Sequence, residues 1–389
     1  MQSKLTLSDI RALREDWAQF VLQDVKGEFV KPVPMVNSGY LHALNASFDG
    51  LFLREQQVNS LLQARHAMKF GTIQPCARME DKLTTRSSLL HLGLFEIYGY
   101  SILGFEAISP AEMAKCTILD FYNYYVTVLG CAIQSLRVYY FSGGTLRQVT
   151  NGKVDSDEYI PADDFSVRIW KSLGLTDSQL IPDQSQETFL LHTGNPLREH
   201  HSGYRNDIFT ESSSGPFEIA TLNFISHHTV IDAGAIVGIA PLPFYLREMA
   251  LGQERCLAAL ADINNLYNLP HVCPLVNAIS EYVATTPEAM MIADMLRVLH
   301  YTIADGWTAS SLHGKRFKEH RHEINQAMRI VTEYSEALTN SRLLDLLFLN
   351  ADLQPWYPLL KQAVGRAAEE IRKFSPTRED LQHQAMMPG

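Results

Sequence analysis

Two short stretches of this 389-residue chain carry arginine and carboxylate at spacings that suit phosphate chemistry. In the first, Arg78 and Glu80 stand two residues apart and His91 and Phe95 four apart, within a segment from Gln74 to Gly104. The ends of that segment read as strands around a polar turn. Period-two alternation puts Arg78 and Glu80 on one face of the outgoing strand, and His91 and Phe95 on one face of the returning strand. A cation, a carboxylate, an imidazole and a phenyl ring so arranged could hold a phosphate and a nitrogenous ring. In the second stretch, Gly252-x-Glu254-Arg255 follows a glycine turn with an arginine at the opening of a helix. Either stretch alone also describes an ordinary surface ion pair, so the chemistry rests on the two together.

A third polar run, from Phe189 to Phe209, reads as a loop and holds His192, Asn195, Arg198, Glu199, His200, His201, Arg205, Asn206 and Asp207. Its three histidines do not make a zinc site. His200 and His201 are adjacent, so they point apart in an extended chain, and no cysteine lies near.

The elements that must position these residues follow from the apolar spacing. Ile10, Leu13, Trp17 and Phe20 recur at helical steps behind a Ser8-Asp9 start, which predicts a helix over 8–22. Phe29 to Leu53, broken by Pro32, Pro34, Gly39 and Gly50, suits short strands and loops. Ser109-Pro-Ala-Glu112 has capping-box spacing with proline at the first helical position, which predicts a buried helix ending at Gly130. A strand over 136–141, a loop over 148–160 and a helix over 162–173 stopped by Gly174 come next. Strands are expected over 218–226 and 236–246. Residues 287–300 and 323–347 show helical spacing without strand signals.

Composition bounds the class. With 46% hydrophobic residues the chain can bury a full core, and the net charge of −10 disfavours a polyanion partner except at a local basic surface. The five cysteines are dispersed, with no C-x-x-C pair, which suggests a reducing, cytoplasmic setting. No apolar run is long enough to span a membrane and the first residues lack a signal-peptide core, so neither export nor a membrane partner is expected.

Taken in order, Gln74-x-Cys76-x-Arg78, Phe95-Glu-Ile-x-Gly99, Pro241-Leu-Pro243 and Gly252-x-Glu-Arg255 resemble motifs two and three of the class II aminoacyl-tRNA synthetases. The chain looks like the catalytic half of alanyl-tRNA synthetase. Ala293-Asp-x-x-Arg297, Ile303-Ala-Asp-Gly306, Tyr357-Pro-Leu-Leu360, Glu369-Glu370 and Phe374-x-x-Thr377 resemble that family's tRNA-recognition region. The similarity runs from about Leu13 to Thr377, sparse within each piece, as in a distant paralogue. It implies an α+β fold: a class II synthetase-type antiparallel sheet flanked by helices over residues 1–265, then an all-helical domain over 266–389. The family's editing and C-terminal domains have no counterpart in the sequence, so proofreading is not expected of this chain.

The resemblance also implies roles. Arg78 would bind the α-phosphate of ATP, and Arg255 would hold the γ-phosphate side and cover the adenine. Glu80, His91, Phe95, Gly252 and Glu254 would complete the ATP site, with Mg2+ bridging the phosphates. Around the amino acid the chain departs from the family: Glu248 stands for an aspartate, Thr221 for an asparagine, Asn223 for a valine, Leu190 for a tryptophan and Ala250 for a glycine. Such changes alter selectivity by roughly 1 to 3 kcal/mol each, and a buried Asn223 amide needs a polar partner. An amino acid other than plain alanine is therefore expected, larger or carrying a polar group.

Contacts to a tRNA acceptor stem would fall to Lys82, Arg86, Arg297, Lys315 and Arg316. Residues 311–378 hold 11 Lys plus Arg against 8 Asp plus Glu, a mildly basic stretch in an acidic chain. The expected activity is ATP-dependent formation of an aminoacyl adenylate and transfer to a tRNA, a carrier protein or a small molecule. The alternatives are a minimal alanine-tRNA ligase and a catalytically inactive paralogue that binds a nucleotide, tRNA or protein as a regulator. Oligomeric state is not indicated.

Overall fold

The first helix starts one residue earlier than its sequence suggests, because Thr6 rather than Ser8 forms a reciprocal capping box with Asp9. Helix α1 (Leu7–Gln23) buries Ile10, Leu13, Trp17, Phe20 and Val21 on one face. The computed structural model describes residues 5–32, 35, 65–77, 89–106, 108–191, 201–211, 215–307, 318–333 and 340–374.

Eleven strands occur among the described residues. They are β1 (Glu28–Phe29), β2 (Met68–Ala77), β3 (Leu94–Gly104), β4 (Leu136–Phe141), β5 (Gly144–Thr145), β6 (Tyr159–Ile160), β7 (Leu180–Asp183), β8 (Phe189–Leu190), β9 (His201–Thr210), β10 (Phe217–Asp232) and β11 (Ala235–Gly252). Nine form one sheet in the order β1-β2-β3-β11-β10-β9-β4-β7, with β8 beside β9, while β5 and β6 pair separately. All pairs are antiparallel except β1 with β2 and β4 with β7. The segment from Gln74 to Gly104 therefore does contribute two paired strands, in a register that sets Cys76 opposite Phe95.

Helices α2 (Pro110–Tyr122), α3 (Leu146–Val149) and α4 (Asp164–Ser172) follow the hairpin. Ser109 and Glu112 cap α2 reciprocally as their spacing predicts, and its last turns widen into a π-helix over Asn123–Val128 before Gly130 at φ +69°. Gly174, at φ +102°, ends the segment of α4. Helix α5 (Gln253–Ala261) springs from the end of β11, and five helices follow: α6 (Cys273–Ser280), α7 (Thr286–Ala304), α8 (Lys318–Glu333), α9 (Asn340–Asp352) and α10 (Pro358–Lys373). The architecture is thus a mainly antiparallel sheet flanked by helices, followed by an all-helical region.

One sheet face is the core. Tyr98, Tyr100, Leu222, Met249 and Leu251 belong to a buried cluster that extends from Ile10 to Ile371. At its centre Trp17 stacks on Tyr98 at 5.5 Å, meets the edge of Tyr124 at 4.9 Å and donates its indole N–H to the Thr72 carbonyl at 3.0 Å. The other face carries the polar residues of the same strands.

The structure corrects several sequence expectations. Residues 201–210 are not loop but strand β9: Tyr204 and Ile208 are buried while Arg205 and Asp207 turn to the polar face, and a strand polar on one side resembles a loop in sequence. The loop over 148–160 contains the end of α3 and strand β6. The strands expected over 218–226 and 236–246 reach 217–232 and 235–252, joined by a two-residue turn with Ala233 at φ +48° and Gly234 at φ +81°. Between Ile225, paired with Leu246, and His227, paired with Pro241, one residue of β10 faces four of β11, so β11 bulges there and its prolines 241 and 243 sit at the irregularity, where a strand tolerates them. Most of 29–53 lies outside the described residues, as does part of 323–347.

Candidate active site

Strand pairing assembles the polar face in rows. Arg205 of β9, Asn223 of β10, Glu248 of β11 and Ser101 of β3 are register partners in sequence across four strands. The next row holds Asp207, Thr221, Ala250 and Gly99. Paired residues of antiparallel strands point to the same side, so Thr221, Asn223, Glu248 and Ala250 converge although they come from separate strands.

Glu248 is 6% exposed and is held from both sides. Ser101 Oγ donates to Oε1 at 3.1 Å and Asn223 Nδ2 donates to Oε2 at 3.2 Å. This arrangement keeps a carboxylate fixed at the middle of the sheet. The Asn223 amide expected to need a partner thus finds one in Glu248 through its nitrogen, while Oδ1 is buried without one.

An ion-pair chain borders this row. Arg205 Nε donates to Asp207 Oδ1 at 2.7 Å, and Thr221 Oγ1 donates to Glu218 Oε1 at 3.0 Å. Arg255, in the first turn of α5, donates to the Glu218 carbonyl at 3.1 Å and pairs with its Oε2 at 3.4 Å. Burial pushes the Asp207 carboxyl up to about 7, with the nearby Glu218 charge adding to the rise and Arg205 opposing it. Arg255 is 25% exposed and Glu218 is 34% exposed, so both remain open to a ligand.

Phe95 lies on β3 with its side chain on the same face as Gly99 and Ser101, half-buried, and His91 lies just before the strand. Leu190 forms β8, paired to Gly203 at the edge of β9. Gly252 closes β11 at φ −75°, a conformation open to any residue, and a Cβ there would meet only the Arg255 side chain at 3.7 Å. Its glycine is therefore not required by the described backbone.

Two predicted contacts belong elsewhere. Glu254 is 2% exposed and accepts the Glu96 backbone N–H at 3.0 Å, with His271 Nε2 3.6 Å from its other oxygen, so it faces the interior rather than a nucleotide. Arg297 is 1% exposed and pairs with Asp294 at 3.4 Å, so it offers no surface to a tRNA. Both were legible only as charged residues on helices, and their burial depends on partners distant in sequence. Arg78, Glu80, Lys82, Arg86, Lys315 and Arg316 lie outside the described residues, as do His192, Asn195, Arg198, Glu199 and His200. Sequence reasoning missed Ser101 and Glu218 as parts of the face and placed Arg205 and Asp207 in a loop rather than on a strand. The x-Arg-x-Asp alternation at 205–207 was the available signal.

Among the described residues no group of three or more His, Cys, Asp or Glu side chains could hold a metal ion, and no helix is long and apolar enough to cross a membrane. All five cysteines are free thiols.

No protein-family model and no curated protein matches the chain. Among solved structures, it is similar to the histidyl-tRNA synthetase of S. aureus at 11% identity and a TM-score of 0.40, over 67% of this chain and 69% of that one. It is similar to the RNA binding domain of threonyl-tRNA synthetase from Cryptosporidium parvum Iowa II at 9% identity and 0.37, over 66% and 64%. The ThrRS-1 protein of Aeropyrum pernix, a candidate threonyl-tRNA synthetase, aligns at 12% identity and 0.37, over 75% and 68%. Similarity at that level assigns neither a family nor a substrate.

Proposed function

We propose that this chain is an ATP-dependent ligase, similar to the aminoacyl-tRNA synthetases, that activates an amino acid as its adenylate and passes the acyl group to an acceptor. The observation that carries this reading is the convergence on one sheet face of Glu248, Asn223 and Thr221 with Arg255, through Glu218. Those are the residues to which the motif resemblance gives amino-acid and phosphate contacts, and they come from three different elements.

The chemistry needs placed charge rather than a covalent nucleophile. A carboxylate oxygen of the amino acid attacks the α-phosphorus, a new P–O bond forms, and the bond to the β-phosphate breaks to release pyrophosphate. An acceptor hydroxyl, amine or thiol then attacks the acyl carbon and AMP leaves. Glu248 would hold the substrate ammonium, and Arg78 and Arg255 would offset charge on the phosphates. His91 and Phe95 would flank the nucleotide, with Leu190 and Ala250 shaping the pocket. Mg2+ would neutralise charge on the phosphates; it takes one or two protein carboxylates at such sites, and the partly exposed Glu218 beside Arg255 would supply one of them.

The test is exchange of labelled pyrophosphate into ATP across a panel of amino acids, followed by addition of total tRNA. Exchange dependent on one amino acid supports the ligase, charging of tRNA then identifies the acceptor, and exchange with alanine alone would favour a minimal alanine-tRNA ligase. No exchange with any amino acid would sink the reading. The second reading, a catalytically inactive nucleotide-, tRNA- or protein-binding regulator, draws on one observation: Arg255 is already engaged by Glu218, which a phosphate would have to displace.

A further inference from the structure

Strand β3 outruns its neighbour. β11 pairs with it only as far as Gly252 opposite Ile97, where the chain turns into α5, while β2 continues along the other edge to Ala77 opposite Leu94. Among the described residues the edge of β3 over residues 93–96 is thus left without a strand, and backbone N–H groups there need acceptors. They find carboxylates. Gly93 N–H donates to Asp294 Oδ2 at 2.5 Å, Leu94 N–H to Asp294 Oδ1 at 3.3 Å, and Glu96 N–H to Glu254 Oε2 at 3.0 Å.

Asp294 belongs to α7, in the helical region, and is fully buried. Tyr267 Oη donates to it at 3.2 Å and Arg297 pairs with it at 3.4 Å. The approach is close: a Cβ at Gly93 would lie 3.1 Å from Met295 Cε and 3.3 Å from Asp294 Oδ2. The Glu96 side chain is bound from the same direction. It accepts the hydroxyl of Tyr357, at the start of α10, and pairs with Arg14 of α1, whose guanidinium lies 5.0 Å from the Trp356 ring and 5.1 Å from the Tyr357 ring. Leu89 adds a backbone tie, its carbonyl accepting Leu266 N–H at 2.8 Å.

We propose that Asp294 and Tyr357 are positioning residues through which the helical region sets the outer half of β3, so that movement of α7 or α10 is transmitted to the hairpin carrying His91 and Phe95. That this hairpin meets a nucleotide rests on the ligase reading; the mechanical coupling does not. A carboxylate replacing a missing strand is conditional in a way that a strand is not. It holds only while the helix bearing it stays docked, whereas β2 holds the opposite edge regardless.

The experiment is amide hydrogen exchange on the full chain, comparing wild type with Tyr357→Phe and with Val364→Ala, a core truncation in α10 seven residues beyond Tyr357. Tyr357→Phe removes the hydroxyl's bond to the buried Glu96 together with the long 3.5 Å bond it accepts from Arg14 Nη2, and should speed exchange over residues 92–97 about tenfold. Val364→Ala should speed exchange in α10 without that effect on 92–97. Asp294→Asn should act more strongly than Tyr357→Phe, but it leaves Arg297 buried and poorly paired, so Tyr357→Phe is the deciding variant in case Asp294→Asn does not fold. Unchanged exchange over 92–97 in Tyr357→Phe, or the same change in both α10 variants, overturns the proposal. In pyrophosphate exchange, Tyr357→Phe should raise KM for ATP several-fold and leave KM for the amino acid within about twofold. Absence of any wild-type pyrophosphate exchange would remove the ligase reading, and the amide-exchange comparison would still decide the coupling.

Discussion

Replacing Glu248 with glutamine removes a charge at nearly constant volume from a site where the carboxylate is held by Ser101 at 3.1 Å and by Asn223 at 3.2 Å. If Glu248 binds a substrate ammonium, the substitution exchanges a charged hydrogen bond for a neutral one. Bonds to charged groups contribute about 1.5–3 kcal/mol and neutral ones about 0.5–1.5, so a difference of about 1–1.5 kcal/mol should raise the amino-acid KM roughly 5- to 12-fold. ATP is not expected to feel the change, because the phosphate-facing Arg255 pairs with Glu218 and not with Glu248. Stability should fall by only about 1 kcal/mol, since the Ser101 hydroxyl and the Asn223 amide can both reorient to suit a glutamine. The assay is pyrophosphate exchange at varied amino acid and at varied ATP, with urea unfolding as the control for folding. A folded Glu248→Gln protein whose amino-acid KM stays within threefold of wild type would refute the ammonium assignment.

Arg255→Ala should lower pyrophosphate exchange by about 100-fold, the usual effect of losing one charge-stabilising donor, and should raise KM for ATP. Its effect on stability should stay below about 1 kcal/mol because the pair with Glu218 is partly exposed; full activity in this variant would exclude Arg255 from the reaction. Trp17→Ala should cost about 3–5 kcal/mol by urea unfolding, since the side chain is fully buried against Tyr98 and Tyr124; a loss under about 1 kcal/mol would contradict the docking of α1. Asp163 and Asp207 are each pushed up to about 7, Asp163 by burial against the opposing hydrogen bonds of Ser166 and Asn206. The folded protein then retains protons that the unfolded chain has released, so stability should decline as pH rises from about 4 to about 7. Asp163→Asn should flatten that decline, measured as urea midpoints across the range, and an unchanged slope would show that Asp163 titrates normally.

Local signals were the legible part of this protein. The Ser109/Glu112 capping box, the glycine after α4, the alternation of β4 and the pairing of the 74–104 segment all appear as their spacing indicates. The capping box and the glycine stop depend on hydrogen bonds to residues a few positions away, and the strands show as runs of apolar residues within one segment although their partners lie farther off, so a short window of sequence contains the signal. Strand β9 was misread because its outward residues are polar by design of the face they serve, and hydrophobic alternation is the only cue that a single strand offers.

The sequence by itself determined most element types and brought Arg255, Glu248 and Phe95 to notice as residues able to do chemistry. Only the tertiary structure decided which of the charged residues face a ligand. Glu254 and Arg255 are adjacent in sequence, yet one turns inward to the Glu96 N–H and the other outward to Glu218. Arg297 matches a motif read as an RNA contact, yet it is sealed against Asp294, which is itself committed to the edge of β3 about 200 residues earlier. A buried charge is permitted by its partner, and when that partner comes from a distant strand or helix, no local pattern records it.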